Sequence, residues 1–527
     1  MRRFPGFSPQ VGASLGSSRH CVVKRLLVAA FVVGGAGCVL LAPATAQAMD
    51  TEVTARVDAQ FYTLESPYGD PLVRRRRYTQ TLGLAVYNLQ GDYVPGEPQL
   101  FARAMMRLDA DFGQESPERD PQRGDRYIPG LEQAPIDLMY AYIEGRNYAD
   151  GYLGFKLGRQ YVTDALGWWS FDGGSLRLTT PAYFHVDVYG GFEQRGGLPL
   201  LSTSRFESQG VYRGSRNDLQ QTDWPSFLEE TKPAPAYGVA IESDGVQWLH
   251  GRLSYRKVIN RDEVLLTPFA DQAGGYHLVK GDRVSSERVG YALRVNPADL
   301  GSVQGEVVYD LYNQVFSEYG GGVDAYVTPE LTVGADYDYY LPTFDGDSIW
   351  NWFTHNGQTT LTGRTELELS RDLDVAVSGG ARLYKTDGDP ITYGAYQTST
   401  LEPNRDSIKT LVDHFGDLSG TYRWPAGSVN LRSMLETGER GHRYGGDVTT
   451  RQGFDNQRYD AMLNLSLYDW SDALRPQRDA TSFGYVLGLG HQLVEDARVG
   501  IEWEHFTNRL VGQRYRVVAT LDFSLLR

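Results

Sequence analysis

Arginines and carboxylates recur in this chain two or four residues apart. Arg56 is followed by Asp58, Arg103 by Arg107 and Asp109, Arg252 by Arg256, and Arg364 by Glu366. Such rows of fixed charge move no electron pair. Their chemistry is electrostatic: they order water and attract or repel polar solutes. Bond-making chemistry finds little support. The nine histidines are scattered, and neither Gly-x-Ser-x-Gly nor His-Glu-x-x-His occurs. Both cysteines, Cys21 and Cys38, fall in the first 48 residues, so the remainder has no thiol nucleophile, disulfide or Cys-based metal site. No glycine-rich phosphate loop or EF-hand-type acidic loop stands out. The expectation is a protein without catalytic residues, metal or cofactor, and not an enzyme.

The elements that carry these charges can be read from parity. In residues 101–112, Arg103, Arg107, Asp109 and Asp111 share one parity. Ala102, Ala104, Met106, Leu108, Ala110 and Phe112 share the other. A strand sends successive side chains to opposite faces, so this is one charged face and one apolar face. The same split recurs through the chain. The charged parity carries Arg56, Asp58, Arg103, Arg107, Asp109, Glu144, Lys156, Gln160, Arg177, Asp187, Arg252, Arg256, Arg294, Glu306, Asp324, Asp336, Arg364, Glu366 and Arg382. A soluble sandwich covers its apolar faces with a second sheet. A single closed sheet, apolar outside and charged inside, suits a bilayer. The fold expected is all-β: one closed antiparallel transmembrane barrel of about 20 strands, within 18–22, over residues 49–527 as one domain. Its charged face would line the pore.

Mean hydropathy is −0.40, and past the first 48 residues no run of 18 apolar residues occurs, which excludes a helical membrane protein. The 34 Tyr, 9 Trp and 21 Phe are enough for two aromatic girdles. Short connections are expected at Ser243-Asp244-Gly245, Thr328-Pro329-Glu330, Arg371-Asp372 and Pro425-Ala426-Gly427. Long ones are expected at 194–234, 260–285, 344–357, 386–406 and 440–453. Segment 194–234, with Trp224 and Pro225, is the one best suited to narrow the lumen.

Residues 1–48 read as a signal peptide. Arg2, Arg3, Arg19, Lys24 and Arg25 are basic, Leu26 to Leu41 is apolar, and Ala46-Gln47-Ala48 is a small-x-small cleavage site. Removing these five basic and no acidic residues would take the formal charge from −15 to −20, which disfavours nucleic acid as a partner.

Residues 151–174 combine Lys156, Gly158, Arg159 and Gln160 with Trp168-Trp169 and then Phe171, Asp172 and Gly173. Here the chain resembles alginate-export and related outer-membrane porins, in which a strand ends in basic-x-Gly-Arg-Gln and the next opens near Phe-Asp-Gly. The resemblance implies an outer-membrane channel, though not alginate. Arg159 falls on the lipid parity with Leu157. It therefore sits at the rim, where Asp172 would pair with it, or a bulge re-aims it inward. Two further segments invite a role: Arg74-Arg75-Arg76-Arg77 could meet lipopolysaccharide phosphates, and Trp350-Asn351-Trp352-Phe353 could stack on sugars or close the mouth. The function expected is passive diffusion of small hydrophilic solutes across the bacterial outer membrane, with membrane lipids and lipopolysaccharide as surroundings. The alternative is a plugged barrel serving as a surface receptor or interaction protein.

Overall fold

The structure is a computed structural model. It describes residues 50–111, 136–193, 234–261, 264–266, 277–279, 282–297, 300–343, 357–386, 409–472 and 479–526. The proposed signal peptide, the long segment 194–233 and the Trp350–Phe353 cluster lie outside the described residues.

Strands follow one another along the whole described chain. They are β1 (Asp50–Glu65), β2 (Pro71–Tyr87), β3 (Gln99–Asp111), β4 (Ile136–Tyr148), β5 (Leu153–Asp164), β6 (Gly167–Thr179), β7 (Phe184–Glu193), β8 (Ala234–Val246) and β9 (Leu249–Asn260). A small separate hairpin, β10 (Val264–Leu266) and β11 (His277–Val279), precedes β12 (Arg283–Val295), β13 (Gly301–Asp310), β14 (Val315–Thr328), β15 (Leu331–Tyr340), β16 (Gln358–Ser370) and β17 (Leu373–Thr386). The wall is completed by β18 (Lys409–Trp424), β19 (Gly427–Gly438), β20 (Gly441–Phe454), β21 (Tyr459–Asp472), β22 (Asp479–Val494), β23 (Ala497–Asn508) and β24 (Gly512–Leu526). All but β10 and β11 join one 22-stranded sheet in which each strand pairs antiparallel with its neighbours. The first strand closes on the last, from Glu52↔Leu526 to Glu65↔Gln513. No edge is left to solvent or lipid at that seam.

Register fixes the faces. Arg56 stands opposite Thr81 and Asp522, while Val57 stands opposite Gln80 and Leu521 on the other face. Leu84, Ile143, Leu157, Val239, Val333 and Leu487, all on the outward parity, are exposed. In a closed sheet that exposure is a lipid-facing belt. Strands of 10 residues such as β13, up to 17 in β2, are long enough to cross tilted. Both described termini and the tight turns, such as 329–330, 371–372 and 425–426, share one end. The long connections 112–135, 194–233 and 387–408 share the other.

The structure corrects two boundaries. Residues 440–453 are not a loop but most of β20. Gly445 and Gly446 within it dilute the alternation, and Gly445 adopts φ +156 where a Cβ would lie 2.7 Å from Tyr468 Cα. Ser243-Asp244-Gly245 is not a turn but the irregular end of β8, and the chain reverses at Gln247-Trp248. The count is 22 wall strands, at the upper end of the expected range. The four arginines 74–77 lie in the first, turn-proximal part of β2, just past the 66–70 turn.

Opposite faces predict opposite tolerance. Leu84→Arg or Val333→Arg should cost about 2–4 kcal/mol if the residue is at the midplane, seen as loss of the fast-migrating unboiled band on a gel. Arg107→Ala, on the inner parity, should leave that band intact.

Candidate functional site

Among the described residues, one hairpin leaves the wall and turns inward. β5 and β6 pair with each other from Leu153↔Leu178 to Asp164↔Gly167. Their pairing with the rest of the wall stops earlier. β4 follows β5 only as far as Ala141↔Arg159, and β7 follows β6 only as far as Phe171↔Glu193. The hairpin tip, residues 160–170, therefore leaves the cylinder. It bends inward at a crease whose inner row is Gly158, Gly173 and Gly191. Gly158 has φ +126, and a Cβ there would lie 2.9 Å from Tyr142 Cα. A Cβ on Gly173 would lie 2.7 Å from Gly191 Cα. Side chains in this row would block the fold-over.

On the outer side of the crease sits Arg159. Its Nε and Nη2 donate to Asp172 Oδ1 and Oδ2 at 2.6 and 2.8 Å, and Nη1 donates to the Leu138 carbonyl at 2.9 Å. Leu138 lies just past the point where β5 stops pairing with β4. The guanidinium thus bonds a backbone group that a neighbouring strand would otherwise have reached. The β5–β6 register is unbroken here, so no bulge re-aims Arg159. It keeps the outward parity, at the last position where β5 pairs with β4.

Inside the lumen the tip rests on the inner face of the neighbouring strands β7, β8, β9 and β12. Trp169, Phe171, Tyr189, Ala234, Ala236 and Val258 form a buried apolar cluster, with Phe171 wholly inaccessible. The Trp169 and Phe171 rings stack at 4.3 Å. Arg256 on β9 places its guanidinium 5.4 Å from the Trp169 ring centroid and donates from Nη2 to the Leu166 carbonyl at 2.9 Å. Trp169 Nε1 donates to Glu193 Oε1 at 3.0 Å. The turn reaches β12, where a Cβ on Gly290 would lie 2.8 Å from Leu166 Cδ2. Gln160 is buried behind it, accepting from Ser175 Oγ at 2.9 Å.

Beside the hairpin is a cavity of about 950 Å³. Of the residues singled out in the sequence, Glu144, Lys156, Gln160, Arg177, Asp187, Arg252, Arg294, Glu306 and Asp336 line it. Asp164, Glu242, His250 and Asp338 line it as well. On one side, Arg177 donates to Asp187 at 2.8 and 2.9 Å and to Glu242 at 3.2 Å. Arg252 donates to Asp187 at 3.0 Å and to Glu242 at 2.6 Å. Glu144 pairs with Arg146 at 2.6 Å and with Lys156 at 4.0 Å. On the side formed by β12–β15 the lining carboxylates are Glu306, Asp336 and Asp338, with Arg294 as the cation. Asp336 pairs with Arg364, which also reaches Asp324 at 2.5 Å.

The remaining singled-out residues stand elsewhere on the inner wall. Arg56 pairs with Asp58 at 3.0 Å, Arg103 lies 5.4 Å from the Tyr87 ring centroid, and Arg382 pairs with Glu436 at 2.6 Å. Arg107, Asp109 and Glu366 take inward register positions opposite Thr81, Thr79 and Thr332. Arg256 lies under the hairpin and does not line the cavity. Sequence parity missed the apolar cluster within the charged lumen. The glycine pairs 173–174 and 190–191, beside Trp168-Trp169, are the signal that could have marked it.

No family model matches this chain, and no curated protein matches it. Solved structures overlap it loosely. OccAB1 of Acinetobacter baumannii has a TM-score of 0.40 and 10% identity, covering 90% of this chain and 96% of its own. OccK3 (OpdO) of Pseudomonas aeruginosa has 0.39 and 10%, covering 90% and 96%. OpdK of Pseudomonas aeruginosa, solved with vanillate, has 0.37 and 10%, covering 91% and 99%. The closed barrel described here rests on the chain's own ring of strand pairs.

The hairpin generates a prediction. Arg256→Met removes the bond to Leu166 and the contact with Trp169. Single-channel recordings in planar bilayers should show raised conductance and more open-channel noise. Arg382→Met, remote from the hairpin, should leave the noise unchanged.

Proposed function

We propose that the protein is an outer-membrane channel through which small hydrophilic solutes diffuse passively. The observation that carries this reading is the lumen itself: a closed barrel encloses a roughly 950 Å³ cavity lined by charged side chains of both signs, with an inward-bent hairpin beside it. Fixed charges in a narrow pore act on every passing ion within about one Debye length, roughly 8–10 Å. The end bearing the tight turns and both described termini would face the periplasm, and the end bearing the long connections the cell exterior. Residues 1–48 would be removed near Ala48 during export. The resemblance at 151–174 to alginate-export porins supports this class through the strand–turn–strand that forms the crease, and it names no solute. Lipids, and lipopolysaccharide at the outer end, would surround the belt.

Reversal potentials under a salt gradient test the reading. Neutralising Glu306 and Asp338 together should shift selectivity toward anions. Neutralising Lys156 and Arg294 should shift it toward cations. Both shifts should shrink in about 1 M salt, where the Debye length falls to roughly 3 Å. If the wild-type protein opens no channels where a control porin does, the reading gives way to a plugged barrel acting as a receptor or interaction protein.

A further inference from the structure

Strand parity splits the four consecutive arginines of β2. Arg75 and Arg77 take inward positions, opposite Tyr62 and Gln60. Arg74 and Arg76 take outward positions, opposite Thr63 and Phe61, and both are exposed. They stand two residues apart on one face, a spacing of about 6.5–7 Å along a strand. An outward arginine is costly at the bilayer midplane and becomes tolerable only near the interface. These two lie near the 66–70 turn, at the end that carries the long connections.

The surface beside them has the profile of a lipid headgroup region. Thr63 faces Tyr515 across the β1–β24 seam, and Tyr515 faces His505. The Tyr515 and His505 rings stack at 4.6 Å. Such amphipathic rings belong at a membrane–water boundary. Phe61, directly opposite Arg76, is about half exposed on the same outward face, at 53%. Guanidinium forks therefore stand at the aromatic level with apolar surface next to them. Arginine is suited to phosphate because its planar donors meet two oxygens at once.

We propose that Arg74 and Arg76 form a binding site for a phosphate of an outer-leaflet glycolipid, the acyl chains lying along Phe61 and the apolar belt. The inference rests on the reading that the long-connection end faces the cell exterior. It assigns the arginine run a lipid partner on the outer wall, apart from the lumen charges that act on solutes.

Native mass spectrometry of the full barrel released from detergent tests it, with diphosphorylated lipid A as the probe and a dephosphorylated form alongside. The wild type should retain the phosphorylated probe preferentially. At about 1 kcal/mol per basic residue near an anionic surface, Arg74→Ser/Arg76→Ser should weaken retention roughly tenfold or more. Arg77→Ser, on the inward parity, should retain it as the wild type does. Each variant is first checked for the heat-modifiable gel shift, so a folding defect is seen as such. Equal retention of both probes by the wild type, or equal loss from Arg77→Ser, overturns the site. A barrel that opens channels normally and yet shows either result leaves the channel reading standing. A barrel that binds the probe and opens no channels removes that reading and keeps the site.

Discussion

Hydrocarbon offers a backbone no hydrogen bonds, and this one constraint organises the molecule. Each strand must find partners on both sides, so the sheet has to close, and β1 meets β24 along almost its whole length. Once the ring is closed, parity decides the rest. One set of side chains meets lipid and the other meets water. The crease is where the constraint is strained, because β5 stops pairing with β4 at Arg159. The chain meets the strain with a side chain: the Arg159 guanidinium takes the Leu138 carbonyl while Asp172 accepts its other donors.

Two kinds of contact act inside the barrel, and their magnitudes differ. The ion pairs of the lumen are partly hydrated, and each contributes on the order of 1 kcal/mol or less. Their importance lies in the potential they make together. The hairpin tip is held differently. Phe171 is wholly buried, and burying a side chain of that size contributes about 1.5–3 kcal/mol. Trp169 and Tyr189 add stacked and tilted ring contacts at 4.3 and 5.6 Å. The inward-bent hairpin is thus fixed mainly by apolar packing, while charged side chains of both signs line the cavity beside it.

Much of this was legible from period-two alternation. Inward placement of Arg56, Arg177 or Asp336 follows from counting residues along a strand, because a pleated strand leaves only two faces. Where glycines replace side chains, as in β20, alternation fades and the strand reads as a loop. The crease was not legible for another reason. It depends on where β5 parts from β4 and β6 from β7, a property of four strands that no local window contains. Parity did register something unusual there, since it put Arg159 among lipid-facing residues. The charge on the wrong face marked a place where the wall is not a simple cylinder.

The hairpin that bends into the lumen is made of strand to its tip, with only Ala165 and Leu166 between β5 and β6. Its position is set by β7, β8, β9 and β12, all parts of the wall. The hairpin is therefore held by the same strand register that closes the barrel. A substitution that shifted the register of β7, β8 or β9 would move the hairpin's seat, the packing around Phe171 and the Arg256 contact included, along with the wall.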